Sequence, residues 1–342
     1  MNRWVRILVV IVVLVGGTLV LAGIGPLAVV RGRLTGEAFF DGRPTTHWRR
    51  ALQGEPGLRA EAIASLESGG PQAGDVLAAL LGDRRGGSAE LRWTAAELLG
   101  QIGAESPAIE AALIAALADP DPCVRGVAVA AIPRVGIAAD IAVPALEEFL
   151  RREPDPVSLR VLSEYRAAAQ PTLPLLVDIL GDRSQGAETR WNAARTIGKV
   201  GAGAQSAVPA LVAALTDGEA TVREHAAEAL GDIGPPAAAA VADLAAVLTD
   251  PATRVRRDAV RSLGQIGPPA RAVVPQMKTL LNDPEGMVRD TARNALRAIA
   301  PEELPEESPK ESPKELPENP AKGDSRSSHR SQIVLSTARR IC

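Results

Sequence analysis

Residues 255–267 read Val-Arg-Arg-Asp-Ala-Val-Arg-Ser-Leu-Gly-Gln-Ile-Gly, and this stretch returns in recognisable form along most of the 342-residue chain. The stretch closes with an aliphatic residue and a glycine, one variable residue, and then a second aliphatic residue and glycine. Copies with the same closing pattern begin at Leu91, Thr189 and Val222. The arginine near the start recurs at intervals of 33, 33, 35, 30, 33, 33 and 33 residues: Arg59, Arg92, Arg125, Arg160, Arg190, Arg223, Arg256 and Arg289. Such regularity indicates an internal structural repeat.

Each copy has the pattern of two helices. In the first, apolar residues spaced by four, four and three share one helical face: Val255, Ala259, Leu263 and Ile266. Gly267 and the prolines after it end that helix, residues 273–281 form a second one, and Asn-Asp-Pro at 282–284 caps the next copy. Because one helix pair cannot bury its apolar stripe, the pairs must stack. The sequence predicts an all-α fold, a right-handed α-solenoid of about eight stacked helix pairs over residues 55–300.

The composition agrees with an all-α chain and excludes several functions. Aromatic residues make up 2% of the sequence, whereas the strands of sandwiches and barrels need them. Residues 51–300 carry 24 Lys and Arg against 31 Asp and Glu, so the positive footprint of nucleic-acid binding is missing. No phosphate-binding loop, metal-ligand spacing or catalytic motif occurs. We expect no nucleic-acid partner, no cofactor, no metal, no catalytic residues and no enzymatic activity.

The N-terminal segment is strongly apolar. Ile7–Val30 contains 24 consecutive uncharged residues, which as a helix would measure roughly 36 Å against a hydrocarbon core of about 30 Å. Arginines flank it on both sides: Arg3, Arg6, Arg31 and Arg33. Residues 1–33 are therefore predicted to form a single-pass transmembrane anchor. A signal peptide cut near Ala22 and Gly23 is the alternative.

The side of the membrane on which the repeats lie follows from two opposing arguments. Five arginines follow the apolar segment and two precede it, which by the positive-inside rule places the repeats in the cytoplasm. However, the short basic N-terminus is typical of an export signal, and long domains translocate largely regardless of charge. We expect an extracytoplasmic, periplasmic location for the repeats.

The C-terminal segment has a different composition. Residues 301–342 are rich in Pro, Glu, Ser and Lys, and Glu-Ser-Pro-Lys occurs twice, at 307–310 and 311–314. Such a segment cannot bury enough apolar surface to offset its chain entropy. It is predicted to be a disordered, solvated spacer, with modification of its Ser-Pro pairs as the alternative.

The repeats resemble a known family. Residues 207–211 read Ala-Val-Pro-Ala-Leu and are followed by Leu-Thr-Asp at 215–217, which completes the arginine and glycine pattern described above. Together these motifs are similar to the short HEAT-like repeat of the bilin-lyase type, an armadillo-like α-solenoid. The signatures of ankyrin and tetratricopeptide repeats are missing. The resemblance implies a scaffold or binding surface and does not identify a partner.

An aromatic segment precedes the repeats. Three of the eight aromatic residues, Phe39, Phe40 and Trp48, lie within residues 34–54. The segment resembles the lead-in of some bacterial membrane-anchored or exported HEAT proteins. Large rings there would cover the open apolar end of the first repeat, so we interpret the segment as a cap. A ligand-binding aromatic cluster is the alternative.

Acidic residues accompany the repeated arginine. In four copies an aspartate stands six residues before it: Asp119 and Arg125, Asp217 and Arg223, Asp250 and Arg256, Asp283 and Arg289. Groups that repeat at constant spacing can form a ladder between neighbouring helix pairs, in which bidentate Arg–carboxylate geometry sets the stacking register. We predict a structural function for this ladder.

Candidate partner-binding residues are few. Trp93 and Trp191 directly follow their arginines, and exposed tryptophan is a common interface anchor. Structural filling, by packing against a neighbouring loop, is the interpretation that we favour for them, with partner contact as the alternative. One polar second helix adds four charged candidates: Glu147, Glu148, Arg151 and Arg152. The copy at Arg160 is short and lacks the closing glycines, which indicates either a binding feature or degeneration. His225 is expected to be a solvated surface residue.

The leading hypothesis is a membrane-tethered scaffold or adaptor that binds a protein or peptide by shape complementarity to its stacked second helices. A bilin (tetrapyrrole) lyase-like enzyme and a purely structural array without a partner are the alternatives. The partner's identity, the binding face and the oligomeric state stay open at this point.

Overall fold

The computed structural model describes residues 26–304, which divide into two compact units, residues 26–145 and 146–304. The tail from residue 305 onward and most of the apolar segment 7–30 lie outside the described residues, so the predictions for them are untested. Within the described range, no helix combines the length and the apolar character needed to cross a bilayer.

The first unit begins with a small cap. Its elements are helix α1 (Pro26–Thr35), strands β1 (Phe39–Phe40) and β2 (Arg43–Pro44), and helix α2 (Thr45–Leu52). The strands pair antiparallel across a turn at Asp41 and Gly42, both of which have positive φ. Trp48 is 1% exposed, its ring lies 5.3 Å from that of Phe40, and its Nε1 donates a hydrogen bond to the Phe40 carbonyl. The cap packs on the first pair of repeat helices.

The repeats follow as alternating first and second helices. In chain order they are α3 (Pro56–Gly69), α4 (Gly74–Leu81), α5 (Ala89–Ile102), α6 (Pro107–Ala116), α7 (Pro122–Val135), α8 (Ala139–Arg152), α9 (Pro156–Glu164), α10 (Leu173–Gly181), α11 (Ala187–Val200), α12 (Val208–Ala214), α13 (Ala220–Ile233), α14 (Val241–Ala246), α15 (Thr253–Ile266), α16 (Val274–Thr279) and α17 (Gly286–Ile299). Odd-numbered helices from α3 onward carry the repeated arginine. Neighbouring first helices pack together within each unit, so the predicted stacking of helix pairs is confirmed there.

The eighth copy is incomplete within the described residues. Helix α17 is followed by a short 3-10 turn, Pro301–Glu303, where the other copies have a second α-helix. Seven helix pairs and a final first helix are therefore present in residues 26–304, compared with the predicted eight pairs. The physical reason is local, since Pro-Glu-Glu offers no apolar face that a second helix could bury.

The two glycines of the closing pattern have separate structural functions. The second ends the first helix, because Gly267 has φ +82°, a conformation that residues with a Cβ rarely adopt. The first permits close helix packing, because a Cβ on Gly264 would lie 2.9 Å from the Cβ of Ala295 in the next first helix. A Cβ on Gly198 would likewise lie 2.8 Å from the Cα of Ala229. Glycine therefore sets the distance between neighbouring first helices.

The turn between copies differs from the prediction. Helix α17 begins at Gly286, and its N-cap residue Glu285 makes no side-chain capping hydrogen bond. Asp283, which the sequence suggests as the cap, accepts the backbone N–H of Glu285 at 2.9 Å and lies three residues before the helix. The capping prediction is wrong at this turn because the helix begins at Gly286, and Asp283 lies too far before it to act as its N-cap residue.

Candidate functional site

A ladder of buried ion pairs joins neighbouring copies. In each pair, Nε and Nη2 of the repeated arginine donate to the two carboxylate oxygens of an aspartate 27 residues further along, at 2.7–3.3 Å. The four pairs are Arg92–Asp119, Arg190–Asp217, Arg223–Asp250 and Arg256–Asp283. This fork-to-fork geometry places one guanidinium flat against one carboxylate and ties each copy to the next.

The six-residue spacing in the sequence corresponds to a different contact. Nη1 of the arginine donates to the backbone carbonyl of the aspartate six residues before it, at 2.7–2.9 Å. This contact occurs in four copies: Arg125 to Asp119, Arg223 to Asp217, Arg256 to Asp250, and Arg289 to Asp283. The expected residues are thus brought together, but the carboxylate itself binds the arginine of the preceding copy. An ion pair within one copy is not formed because that carboxylate already has its guanidinium.

Burial and hydrogen bonding have opposite effects on these carboxyl groups. Burial alone would raise the pKa of Asp217, but hydrogen bonds from Arg190 and from the backbone N–H of Glu219 outweigh it and hold the pKa below its ordinary value. The pKa of Asp119 and that of Asp250 are lowered in the same way. These aspartates therefore stay ionised in the folded protein under conditions in which the unfolded chain already binds protons.

We expect acid to destabilise the protein through this ladder. A carboxyl group whose pKa is lowered by folding contributes stability above its unfolded pKa of about 3.9, and that contribution disappears as pH falls through the folded value. The thermal unfolding midpoint should therefore fall steeply below about pH 4. In Asp250→Asn, which cannot ionise, the midpoint at neutral pH should be lower and the acid-induced fall smaller. An identical fall in wild type and variant would contradict the assignment.

The 27-residue spacing from arginine to aspartate is not kept in every copy. Positions 27 residues after Arg125 and Arg160 hold Arg152 and Ala187, so the sequence supplies no acid there. Helix α9, which carries Arg160, is nine residues long, whereas most other first helices have 14. In the second unit the arginine–aspartate pairs at this spacing follow one another in three consecutive copies, from Arg190, Arg223 and Arg256.

The first helices of the second unit carry a second set of ion pairs on their exposed side. We call this the first-helix surface and define it by Trp191 and Lys199 on α11, Glu224, His225, Glu228 and Asp232 on α13, and Arg257 and Arg261 on α15. The net charge alternates from one first helix to the next, since α11 is basic, α13 is acidic and α15 is basic. Lys199 Nζ lies 2.7 Å from Asp232 Oδ2. Arg261 Nη2 lies 3.7 Å from Glu228 Oε1, and Arg257 Nη2 lies 3.6 Å from Glu224 Oε1. Arg257 and Arg261 also contact the buried Asp258 of their own helix at 2.6 and 3.4 Å, so the charges of this surface are matched both within and between copies.

Trp191 and His225 meet on the same surface. Their rings stack at 4.6 Å between centroids with an interplanar angle of 25°, and His225 Nδ1 lies 2.9 Å from Glu228 Oε2. The hydrogen bond to His225, assisted by the nearby charges of Arg261 and Lys199, lowers the pKa of Glu228 to about 2. The expectation of a solvated His225 is wrong, since its side chain is 22% exposed and held between Trp191 and Glu228. Because Trp191 and His225 belong to neighbouring copies, the sequence pattern of a single copy does not reveal that their rings are in contact.

The remaining partner candidates lie elsewhere. Trp93 is half-buried on α5 of the first unit, at the same repeat position as Trp191. The four charged candidates cluster on the second helix α8, where Glu147 pairs with Arg151 at 2.5 Å and Glu148 with Arg152 at 3.6 Å. Both are i, i+4 pairs on an exposed helix surface, with the two arginine side chains 56% and 51% exposed. The structure thus brings these four together but does not add Trp191, which lies on a first helix.

No metal site is found among the described residues, because no group of three or more His, Cys, Asp and Glu side chains is close enough to hold an ion. Within the same range, the charged side chains of the ladder and of the first-helix surface pair with oppositely charged neighbours. The arrangement is suited to holding helices in register and to presenting surfaces.

Comparison with known proteins identifies the repeats. A family model for HEAT repeats matches residues 84–165, 173–245 and 241–309, which together make up more than half of the chain. No curated protein sequence matched. Among solved structures, the Escherichia coli protein YibA is 20% identical, with a TM-score of 0.50, and the match covers 76% of this chain and 93% of that one.

Two further solved structures are more distant in shape. Human deoxyhypusine hydroxylase in complex with glycerol is 22% identical with a TM-score of 0.31, and the match covers 74% of this chain and 95% of that one. Kap121p bound to Nup53p is 15% identical with a TM-score of 0.44, over 74% of this chain and 34% of that one. At these identities the structural likeness concerns the fold alone. The family match and the stacked helix pairs together show that the chain belongs to the HEAT repeat family.

Proposed function

We propose that this HEAT-repeat protein is a non-enzymatic scaffold or adaptor that binds a protein or peptide along its second helices. The observation that carries the proposal is the different use of charge on the two kinds of helix. On the first-helix surface, basic side chains approach acids of the neighbouring copy, as Lys199 does with Asp232, whereas the charges on α8 pair within one helix, and three of those four side chains are more than half exposed. The α8 charges can therefore change partners without separating two copies.

The energies of the two kinds of pair support this division. Exposed i, i+4 pairs contribute only about 0.3–0.5 kcal/mol each, so a partner's own charges can replace them at low cost. Breaking a buried pair such as Arg190–Asp217 costs about 3–5 kcal/mol, because an uncompensated charge is left inside the protein. A partner that took its charges from the ladder would therefore unfold the repeats that present it.

A charge exchange on α8 tests the proposal. Glu147→Arg and Glu148→Arg combined with Arg151→Glu and Arg152→Glu keep both i, i+4 pairs and the net charge but invert the surface pattern. We expect this variant to fold normally and to bind its specific partner at least about tenfold more weakly, which corresponds to ~1.4 kcal/mol of binding free energy. Quantitative cross-linking of the full chain in its own cells, followed by mass spectrometry, measures the loss.

The first-helix surface supplies the matched control. Lys199→Asp with Asp232→Lys also exchanges a pair without changing net charge, and the partner should be retained. Loss of the partner in the control alone would place binding on the first helices and overturn the proposal. A partner that neither variant changes would overturn binding on α8, and a wild-type chain that cross-links to no partner would favour the purely structural array. No contact among the described residues specifically supports a bilin lyase-like activity.

The tether and the location belong to the same proposal. The 24 uncharged residues at 7–30 and the arginines on either side support a membrane anchor of the bacterial, membrane-anchored or exported type, with the repeats outside the cytoplasm. Protease added to intact cells or spheroplasts should then cut the chain after Ala300. Cleavage only after lysis would place the repeats in the cytoplasm instead.

A further inference from the structure

The cap is joined to α1 by a tight turn. Gly32 of α1 packs so closely on the hairpin that a Cβ there would lie 2.8 Å from the Pro44 Cβ and 2.9 Å from the Phe39 ring. The chain reverses at Gly36, which has φ +69°, and the Glu37 N–H donates to the Gly32 carbonyl at 2.9 Å. Because α1 begins at Pro26, the last five residues of the apolar segment 7–30 belong to a helix that packs on the cap.

Helix α1 leaves both apolar and basic side chains in solvent. Val30 and Leu34, one helical turn apart, are 52% and 83% exposed, and both belong to the described part of the first unit. Arg31 and Arg33 between them are exposed as well. Exposed apolar side chains interleaved with arginines are typical of helices that lie at the boundary between headgroups and acyl chains.

The rest of the cap is also basic. Residues 26–54 contain five arginines, against Glu37 and Asp41 as acids. Arg43 and Arg50 are exposed on β2 and α2. Burial, together with the positive charges of Arg43 and Arg50, lowers the pKa of His47 between them. Arg49 is paired with Asp83, just outside the cap, at 2.6 Å, and the other four arginines outnumber the two acids, so the local field of the cap is positive.

We propose that the N-terminal cap, residues 26–54, docks against the anionic phospholipid headgroups of the membrane, and holds the first repeats at its surface. The inference rests on the proposed tether and extends it from an anchor to a fixed orientation. Continuity of α1 with the apolar segment favours lipid over a protein partner, because a chain anchored through residues 7–30 brings the cap to the headgroups first. Arginine binds phosphate oxygens bidentately, and each arginine near an anionic surface strengthens binding about fivefold.

The test uses the full chain in lipid nanodiscs. Hydrogen–deuterium exchange of residues 26–54 is compared in nanodiscs of phosphatidylcholine alone and of phosphatidylcholine with phosphatidylglycerol. We expect slower exchange with the anionic lipid and loss of the difference in high salt, which screens the attraction. In Arg43→Gln with Arg50→Gln the lipid-dependent protection should fall by about fivefold for each arginine removed.

A matched pair of arginines controls for charge alone. Arg84→Gln with Arg85→Gln removes two exposed arginines from a loop of the same unit, and should leave the lipid-dependent protection unchanged. Unaltered exchange of α2 in phosphatidylcholine shows that each variant cap is folded. A chain that incorporates into nanodiscs but exchanges equally in both lipids would overturn the docking alone. A chain that does not remain with nanodiscs would overturn the tether, and the docking with it.

Discussion

Replacing Asp217 with alanine is expected to lower the free energy of unfolding by about 3–5 kcal/mol. The Asp217 side chain is 2% exposed and accepts hydrogen bonds from Arg190 and from the backbone N–H of Glu219. It also forms an ion pair with Arg183. Removal of the carboxylate leaves the guanidinium of Arg190, itself 8% exposed, without its counter-charge. Urea denaturation followed by circular dichroism should show the loss, and hydrogen exchange should locate it in α11 and α13.

A less buried pair between the same two helices is the control for Asp217→Ala. Lys199 and Asp232 also join α11 to α13, but their side chains are 28% and 24% exposed. Asp232→Ala is therefore expected to cost only about 0–1 kcal/mol, because water screens the remaining lysine. Equal effects of the two substitutions would mean that burial does not determine the strength of the ladder.

Leu263→Ala is expected to destabilise the protein by about 2–5 kcal/mol. Leu263 is fully buried in α15, where the closing pattern of the repeat packs against the second helix and the neighbouring first helices. Truncation removes apolar contacts and leaves a cavity, and the close glycine contact at Gly264 limits how far the helices can move to fill it. The urea unfolding midpoint, with exchange in α15 and α17, measures the effect.

Leu58 provides the matched control for Leu263→Ala. It also lies on a first helix, α3, but is 58% exposed. Leu58→Ala should therefore change the free energy of unfolding by less than about 0.5 kcal/mol. A near-zero effect of Leu263→Ala would contradict the register of α15, and a large effect of Leu58→Ala would indicate a contact outside the described residues.

Local features of each copy were predictable from the sequence. The spacing of Val255, Ala259, Leu263 and Ile266 identifies the buried face of α15, and all four are fully buried. The position of Gly267 marks the end of the helix. These predictions succeed because they depend on helical periodicity and on the backbone preferences of glycine, which act over a few residues.

Contacts between copies were harder to predict. The six-residue spacing draws attention to the correct aspartates, but the carboxylate of Asp283 pairs with Arg256, 27 residues before it, and only its carbonyl meets Arg289. A Trp at position 191 gave no indication that His225 would stack on it. One signal was available in the sequence, namely that the spacing of 27 from arginine to aspartate repeats in four copies.

The sequence by itself determined that this chain is a HEAT repeat array, because a 33-residue period, an apolar stripe and terminating glycines are sufficient to specify stacked helix pairs. Only the tertiary structure decided which atoms hold the copies together and which charged side chains remain exposed. The reason is physical. Helix formation depends on neighbours three and four residues apart, whereas the partner of a guanidinium depends on where the next copy places its turn, and on how far the intervening glycine lets two helices approach.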